Sequence, residues 1–364
     1  MNILNILIAA FALLGAVDRM LDNRFGLGEE FERGLHLFGS LALSMIGMIV
    51  MVPLIAQFMT PLLTFFHETL HIEPSIIPTS LIANDMGGAA LAVQVAADPA
   101  LGMFNGLVVS CMMGGTIAFT IPVSLTSVRK PLHRELLLGM LCGIVTIPVG
   151  CLAGGLLAGI PFGALLANLL PLILFSALIA AGLALCPDLC ARIFSVLGVF
   201  IKALITVGLA LSILRYLTGV ELIPGLTTLE DAAAVSLSCS IFLTGVLPML
   251  ALLSRAITKP MRALSRLLAV NEHSVMGFVA TLASSVTTFA MMDKMDKKGV
   301  LLNSAFAISA AFAFADHLAF TMSFNPDYVF PVTLAKLTGG VSSVLLGCLL
   351  CRRLYGKEAQ SPTS

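Results

Sequence analysis

Residues 76–97 read IIPTSLIANDMGGAALAVQVAA, two apolar runs joined by a polar, glycine-rich centre at residues 84–88. Residues 274–292 read SVMGFVATLASSVTTFAMM, with a hydroxyl-rich centre that begins at Ser284 and Ser285. An apolar segment that is interrupted at its middle is typical of transporter segments that break inside the membrane. The two stretches therefore predict an architecture with one broken segment in each half of the chain.

Landmark residues outside these segments recur at a nearly constant spacing. Five pairs lie 197 to 199 positions apart: Gly47 and Gly245, Pro61 and Pro260, Asn105 and Asn303, Gly143 and Gly340, and Gly150 and Gly347. A long internal repeat with an interrupted apolar segment in each copy is the sequence pattern of a secondary transporter. The repeat therefore predicts solute transport.

The composition predicts an all-α polytopic membrane protein, surrounded by membrane lipids. Hydrophobic residues make up 58% of the 364 residues, charged residues 11%, and the mean hydropathy is +1.02, whereas a soluble domain is about a quarter charged. The formal net charge is zero, which argues against a nucleic-acid partner. No cofactor motif stands out. Cys186 and Cys190 have the residue types of metal ligands but no histidine nearby, which favours buried thiols over a metal site.

The distribution of basic residues predicts how the chain crosses the membrane. Nine apolar runs are candidate full spans: residues 3–17, 35–57, 101–121, 135–158, 164–186, 196–217, 233–253, 300–323 and 330–350. If segments 76–97 and 274–292 each enter and leave on one face, 17 of the 20 lysines and arginines fall on the same side. The positive-inside rule then favours two re-entrant hairpins. Two ordinary crossing helices are the alternative.

This topology places the amino terminus outside and the carboxyl terminus in the cytoplasm. Residues 35–57 then run outward while 233–253 run inward, so the repeats are inverted, and the two hairpin tips meet near the bilayer midplane. The chain is expected to divide into four parts: a first half (1–158), a connecting region (159–195), an inverted second half (196–350) and a cytoplasmic tail (351–364).

Asp85 is the first candidate for a binding residue, because it falls at the tip of the first segment. A carboxylate at the bilayer centre costs at least about 2.5 kcal/mol, so such residues are rare and usually functional. Asn84, Gly87 and Gly88 surround it with an amide and with backbone that a ligand can approach closely. This combination suits a small cation: a substrate ammonium, Na⁺ or a proton. The alternative is that Asp85 caps the second limb of its hairpin.

Asp316 and His317 are the second candidates, because they interrupt the apolar run 300–323. Adjacent residues on a helix point about 100° apart, so we expect them to face different neighbours, one the substrate and the other a hairpin. A histidine could also relay a proton. The alternative is a structural pair with no role in binding.

The neutral candidates are hydroxyls and amides on the two repeats. They are expected to bind a substrate hydroxyl or to order the hairpin tips: Ser284, Ser285, Thr287, Thr288, Asn105 and Asn303. The alternatives are that the hydroxyls bond to helix carbonyls and that the asparagines only join helices.

Four further charged residues are expected to be peripheral. Lys202 and Lys336 lie near the ends of spans and are expected to extend toward the membrane surface. Glu73 and Asp296 fall in polar loops and are expected to be solvated.

Five strings carry a resemblance to a known family: residues 16–19 (AVDR), 84–88 (NDMGG), 143–150 (GIVTIPVG), 221–225 (ELIPG) and 309–318 (SAAFAFADHL). Together they resemble the ethanolamine-utilisation membrane transporters, in order, from about residue 3 to 350. The resemblance implies a bacterial inner-membrane permease that imports ethanolamine, which a cytoplasmic lyase then breaks down. The chain departs from the family pattern inside the predicted site, for example at the serine pair 284–285, where the family carries two asparagines.

Sequence and resemblance together predict a transporter rather than an enzyme. Asp85 would pair with the ammonium of ethanolamine, and H⁺ or Na⁺ is a possible coupling ion. A facilitator without coupling, a symporter for another small solute and an intramembrane enzyme using Asp85 and Asp316 remain alternatives, and a homo-oligomer is possible.

Overall fold

The computed structural model describes residues 3–256 and 258–355, and every regular element in these residues is helical. The α-helices are α1 (Ile3–Met20), α2 (Leu27–Leu70), α3 (Ile76–Thr79), α4 (Ala89–Val95), α5 (Pro99–Phe104), α6 (Ile121–Ser127), α7 (His133–Leu157), α8 (Phe162–Leu185), α9 (Pro187–Thr218), α10 (Leu229–Ala256), α11 (Thr258–Leu268), α12 (Glu272–Ala283), α13 (Ser285–Met291), α14 (Lys297–Ala310), α15 (Asp316–Phe324) and α16 (Val329–Tyr355). Three stretches are π-helical: Asn84–Gly88, Asn105–Gly114 and Thr116–Thr120. Residues 356–364, most of the predicted tail, lie outside the described part.

Within the described residues, seven helical stretches are long and apolar enough to cross a membrane. They are Leu27–Leu70, Pro99–Ser127, Lys130–Leu157, Phe162–Leu185, Pro187–Thr218, Leu229–Leu252 and Pro326–Leu354. The prediction of an all-helical protein is confirmed, and these stretches coincide with seven of the nine predicted spans. The other two predicted spans correspond to α1 and to the pair α14 and α15.

The prediction of one continuous helix over residues 300–323 is wrong. The chain breaks at residues 311–315, where Phe312 has a φ of 60°, a left-handed conformation that is rare for a large side chain. The break pairs with the end of α12, because the Phe312 and Phe314 amides donate to the carbonyls of Thr281 and Leu282. The last carbonyls of a helix have no partner within it, so the break supplies donors that α12 lacks.

The second broken segment, residues 274–292, reverses direction at Ser284. The Thr288 hydroxyl donates to the Gly277 carbonyl over 3.1 Å and lies 2.8 Å from the Thr281 hydroxyl. Residues 277 and 288 would be about 16 Å apart along a straight helix. The limbs α12 and α13 therefore lie side by side.

The first broken segment, residues 76–97, also folds back on itself. The Glu73 carboxylate accepts hydrogen bonds from the Ala97 amide (3.0 Å) and the Asp98 amide (3.3 Å), although about 36 Å would separate these positions on one helix. Its limbs are α3 and α4, and the chain between them passes through an extended Ala83. Each limb has a buried face, formed by Ile76, Pro78 and Thr79 in α3 and by Ala89, Leu91 and Ala92 in α4.

A carboxylate joins the two ends of each broken segment, and we call these two groups the base clasps. The first clasp is Glu73, which is 8% exposed. The second is Asp296, whose side chain accepts from the Asn271 amide and the Ser274 hydroxyl, each over 2.9 Å. The prediction that Glu73 and Asp296 are merely solvated is therefore wrong, because backbone amides at the segment ends need acceptors.

Loss of the first clasp should destabilise the fold. We expect Glu73→Ala to lower stability by about 1–3 kcal/mol, because the Ala97 amide loses a charged acceptor. Thermal unfolding of the detergent-purified protein measures this as a lower midpoint. Glu68→Ala is the matched control, since Glu68 is exposed on the preceding helix. Equal midpoints for the two variants would contradict a role for the clasp.

The helices that pair most extensively are α2 with α10, and α7 with α14 and α16. Glycines permit close approach between α7 and α16: a Cβ on Gly154 would lie 2.7 Å from the Pro331 carbonyl oxygen. All residues of Asn105–Gly114 are buried, and so are residues 299–310. These two stretches lie at the centre of the protein and support the candidate site.

Candidate functional site

A cavity of about 370 Å³ lies where the tips of the two broken segments approach the centre of the protein. Its walls come from α2, both tips, the π-helical stretches, the break at 311–315 and α16. The lining residues are Ser40, Leu41, Ser44, Ala83, Asp85, Met86, Cys111, Gly115, Phe119, Thr120, Ser284, Val286, Ile308, Ala311, Phe312, Asp316, His317 and Lys336. Four predicted site residues, Asp85, Ser284, Asp316 and His317, are brought together here.

The first tip presents Asp85 to this cavity. The backbone leaves helical geometry at Met86 (φ −94°, ψ 28°) and at Gly87, whose φ is 89°, a region that favours glycine. Asp85 Oδ1 has no hydrogen-bond partner among the described residues, and it lies 4.0 Å from His317 Nε2. An unpaired buried acceptor is costly, so Asp85 is available to a ligand that donates hydrogen bonds.

Asp316 and His317 enter the cavity from the first turn of α15. We expected these neighbours to serve different partners, but both line the cavity, because they follow the break rather than lying inside a regular helix. His317 is 6% exposed. A Cβ on Gly115 would lie 3.3 Å from the His317 ring, so the glycine leaves room for the imidazole.

The second tip contributes one hydroxyl to the cavity. Ser284 lines it from the point where α12 ends. Ser285 is fully buried and its hydroxyl has no partner among the described residues. Thr287 is exposed, whereas Thr288 holds the two limbs together. Of these four residues, only Ser284 reaches the cavity wall.

The two asparagines that the predicted repeat relates lie at the bases of the broken segments and not at the tips. The Asn105 side chain donates to the Ser75 hydroxyl over 2.9 Å and also pairs with Asn168 of α8. The Asn303 side chain donates to the Ser274 carbonyl over 2.8 Å. Asn105 therefore anchors the residue just before the first broken segment, and Asn303 anchors the first residue of the second.

Asn84, Gly87 and Gly88 support the first tip from behind the cavity. Asn84 is fully buried, and neither of its amide atoms has a hydrogen-bond partner in the described part of the chain. A side chain on Gly87 would meet Met48, and one on Gly88 would meet the Ser110 hydroxyl. The two glycines therefore allow the tip to pack directly against neighbouring helices.

Lys336 was not predicted as a site residue, and its expected position at the membrane surface is wrong. Its side chain is 1% exposed, lines the cavity, and donates to the carbonyls of Cys111 (3.1 Å) and Ser309 (3.2 Å). One signal in the sequence pointed to it. Two carboxylates, Asp85 and Asp316, were placed in the membrane without a cation, and buried charges are usually paired.

Aromatic rings form one wall of the cavity. Phe312 contacts Phe119 edge to face with ring centroids 5.6 Å apart, and its centroid lies 5.4 Å from that of His317. A ring face attracts a cation within about 6 Å. The sequence analysis missed Phe119 and Phe312 because phenylalanine is common throughout this chain.

The charges of the cavity favour a small cation as its ligand. Two carboxylates face one lysine ammonium, and a bound cation favours the ionised form of both carboxylates because opposite charges within about 4–6 Å stabilise each other. The aromatic wall and Ser284 add an apolar surface and a hydroxyl. A small amine with a polar group matches all of these features.

Residues 1–350 match the model of the family described as "Ethanolamine utilisation protein, EutH". The chain belongs to the EutH family. With this membership and seven helical stretches long and apolar enough to cross a membrane in its described part, it is a multi-pass membrane protein.

Three relatives cover nearly the whole chain. A "Probable ethanolamine permease EutH" of Listeria monocytogenes is 39% identical over 352 residues, which is 97% of this chain and 94% of that protein. A protein of the same description from Salmonella typhimurium is 38% identical, covering 93% of each. The uncharacterized protein YxeR of Bacillus subtilis is 37% identical over 93% of this chain and 91% of its own. No solved structure matches the chain.

Proposed function

We propose that this protein carries ethanolamine across the bacterial inner membrane, as a secondary transporter or facilitator and not as an enzyme. The observation that carries the proposal is the central cavity, in which Asp85 and Asp316 face a single lysine. Relatives that cover 97% and 93% of the chain are described as probable ethanolamine permeases, and we extend that activity to this chain.

The ammonium of ethanolamine would bind between Asp85 and Asp316, beside the Phe312 ring. Asp85 Oδ1 is an acceptor without a partner among the described residues, and a charged hydrogen bond to it is stronger than a neutral one. The substrate hydroxyl would bond to Ser284 or His317. The cavity volume also leaves room for water around so small a substrate.

The remaining predicted site residues would act on the tips and bases of the broken segments. Asn84, Gly87, Gly88 and Ser285 would hold the tips in place without contacting substrate, and Asn105 and Asn303 would anchor the bases. Thr287 is the exception, since it is exposed and does not line the cavity. In this proposal the substrate contacts four side chains: Asp85, Ser284, Asp316 and His317.

The proposed topology is an inverted repeat with two re-entrant hairpins and nine crossings, the ninth formed by α14 and α15 together. The base clasps support it, because in each broken segment a hydrogen bond between a carboxylate and a backbone amide holds the two ends together. Arg129 pairs with Asp293 over 2.8 Å, which supports a common face for the basic loop after α6 and the end of the second segment. By the positive-inside rule this face is cytoplasmic.

The pairing of equivalent helices supports the same division of the chain. α2 packs on α10, and α7 packs on α16, as expected for two copies related by an axis through the centre. We therefore propose the halves 1–158 and 196–350, joined by 159–195. One hairpin-bearing half would move against the other to give alternating access to the cavity.

A carrier for another small solute is the second candidate, because Lys336 is the cation that a carboxylate substrate would need. Two carboxylates in the same cavity argue against an anionic substrate, since like charges repel in a low dielectric. The charge balance favours an amine.

Uptake of labelled ethanolamine into proteoliposomes of the purified protein tests the proposal. We expect saturable uptake that excess unlabelled ethanolamine blocks and that glycolate and ethylene glycol, which lack the ammonium, do not. Protein-free liposomes measure passive entry. Glycolate competition as strong as that of ethanolamine would assign the cavity to an acid, and no uptake by folded protein would reject the proposal.

A further inference from the structure

Lys336 of α16 lines the cavity but is not among the side chains proposed to contact the substrate. Its ammonium group lies inside the protein, 3.1 Å from the Cys111 carbonyl oxygen and 3.2 Å from the Ser309 carbonyl oxygen. A buried lysine must be compensated by charges or acceptors of its own. Here the acceptors are main-chain carbonyls on two different helical segments, and the compensating carboxylates line the same cavity.

Irregular backbone separates each of these carbonyls from the amide that would bond to it in an α-helix. In an α-helix the Gly115 amide would bond to the Cys111 carbonyl, but in this π-helical stretch it donates to Ser110 and Met112. In an uninterrupted helix the Ala313 amide would reach the Ser309 carbonyl, but at the break it donates to Ala310 instead. Each helix irregularity thus directs a carbonyl at the Lys336 ammonium.

The two carbonyls also occupy corresponding places in the sequence. Cys111 and Ser309 are 198 positions apart, the spacing that relates Asn105 to Asn303. One ammonium therefore joins matching points of the two halves of the chain. The position that corresponds to Lys336 itself, at the same spacing, is Leu138, so the positive charge belongs to one half only.

Unwound carbonyls and the carboxyl ends of broken helices are the groups that bind Na⁺ in ion-coupled carriers. We propose that the Lys336 ammonium is a tethered cation in the place of a coupling Na⁺, so that this protein carries its substrate without a co-transported ion. The proposal rests on the proposed function, because it concerns the same cavity.

The charge balance of the cavity then sets the number of cations that bind. Asp85 and Asp316 supply two negative charges and Lys336 supplies one positive charge. One ammonium from the substrate completes the balance, with His317 neutral. A second free cation would leave an excess positive charge at low dielectric, which is unfavourable. Each ethanolamine should therefore cross with one positive charge.

The wild-type protein tests this without any substitution. We expect equal ethanolamine uptake in NaCl and in KCl, and a reversal potential that corresponds to one charge per ethanolamine. Two charges per ethanolamine would mean co-transport of a cation, and none would mean exchange for a proton; either result would overturn the proposal. No wild-type uptake at all would instead reject the proposed function.

Lys336→Gln tests the residue itself, with Lys202→Gln as the matched control because Lys202 is exposed on α9. Uptake in KCl should fall at least about tenfold in Lys336→Gln, since one partner of a buried charged group is lost. NaCl should restore it in part, and Na⁺ should raise the thermal unfolding midpoint of this variant but not of wild type. Uptake at the wild-type rate, or loss that Na⁺ does not relieve in folded protein, would assign Lys336 another role.

Discussion

Asp85→Asn should reduce ethanolamine uptake by at least about a hundredfold, close to 3 kcal/mol, because it removes the charge that would pair with a desolvated ammonium. Asparagine keeps the shape of the tip. Asp85 Oδ1 has no hydrogen-bond partner in the described residues, so the substitution breaks no hydrogen bond of that oxygen. The loss should therefore fall on transport and not on folding.

The measurement is the initial rate of uptake at several ethanolamine concentrations in proteoliposomes with equal amounts of inserted protein. Asp188→Asn is the matched control, since Asp188 is exposed at the start of α9. The two variants should elute alike in size-exclusion chromatography, and only Asp85→Asn should lose uptake. Wild-type kinetics for Asp85→Asn would remove Asp85 from the substrate site.

Gly87→Ala should abolish uptake while most of the protein still folds. The substitution adds both backbone strain and a steric clash at the first tip. The φ of Gly87 is 89°, which costs an L-residue about 1–3 kcal/mol. A Cβ there would also meet the Met48 side chain and lie 3.6 Å from a Val52 methyl group. The tip must shift to relieve both, and the shift would displace Asp85, two residues earlier in the same tip.

Alanine substitutions at two other glycines serve as controls that distinguish backbone strain from steric clash. Gly159 has a φ of 80° with nothing within 4 Å of a Cβ, and Gly39 has neither positive φ nor a neighbour within 4 Å. Gly159→Ala should therefore lower the unfolding midpoint slightly without changing uptake, and Gly39→Ala should neither lower the midpoint nor change uptake. If Gly87→Ala behaved like Gly159→Ala in both assays, the tip geometry would not matter for transport.

Much of the architecture could be predicted from the sequence because its signals are local. Apolar runs interrupted at Asn84 and Ser284 indicated where the chain breaks, and in the structure both segments fold back. Isolated charges in apolar surroundings indicated Asp85 and Asp316, which line one cavity. Each of these signals lies within about twenty residues of chain, the range in which periodicity and breaks are informative.

The features that the sequence did not reveal depend on distant partners. The break at Phe312 exists because α12 ends nearby and needs donors for its carbonyls. Lys336 is held by carbonyls 225 and 27 positions away, and hydropathy alone placed it near the end of a span. Glu73 looked like a loop residue because the amides that it binds follow 24 and 25 residues later.

The base clasps bear on how an internal duplication can be recognised. Glu73 and Asn271 are 198 positions apart, and so are Asp98 and Asp296. In the first half the acid stands before the broken segment and receives the amide of Asp98; in the second half the acid stands after it and receives the amide of Asn271. If residues 198 positions apart are aligned, the carboxylates of the two clasps lie at opposite ends of their broken segments. In both cases the carboxylate accepts a hydrogen bond from a backbone amide at the other end of the segment. If the two halves share an ancestor, the hydrogen bond that joins the ends of each broken segment would be kept, although the carboxylate that accepts it stands at a different position in each half.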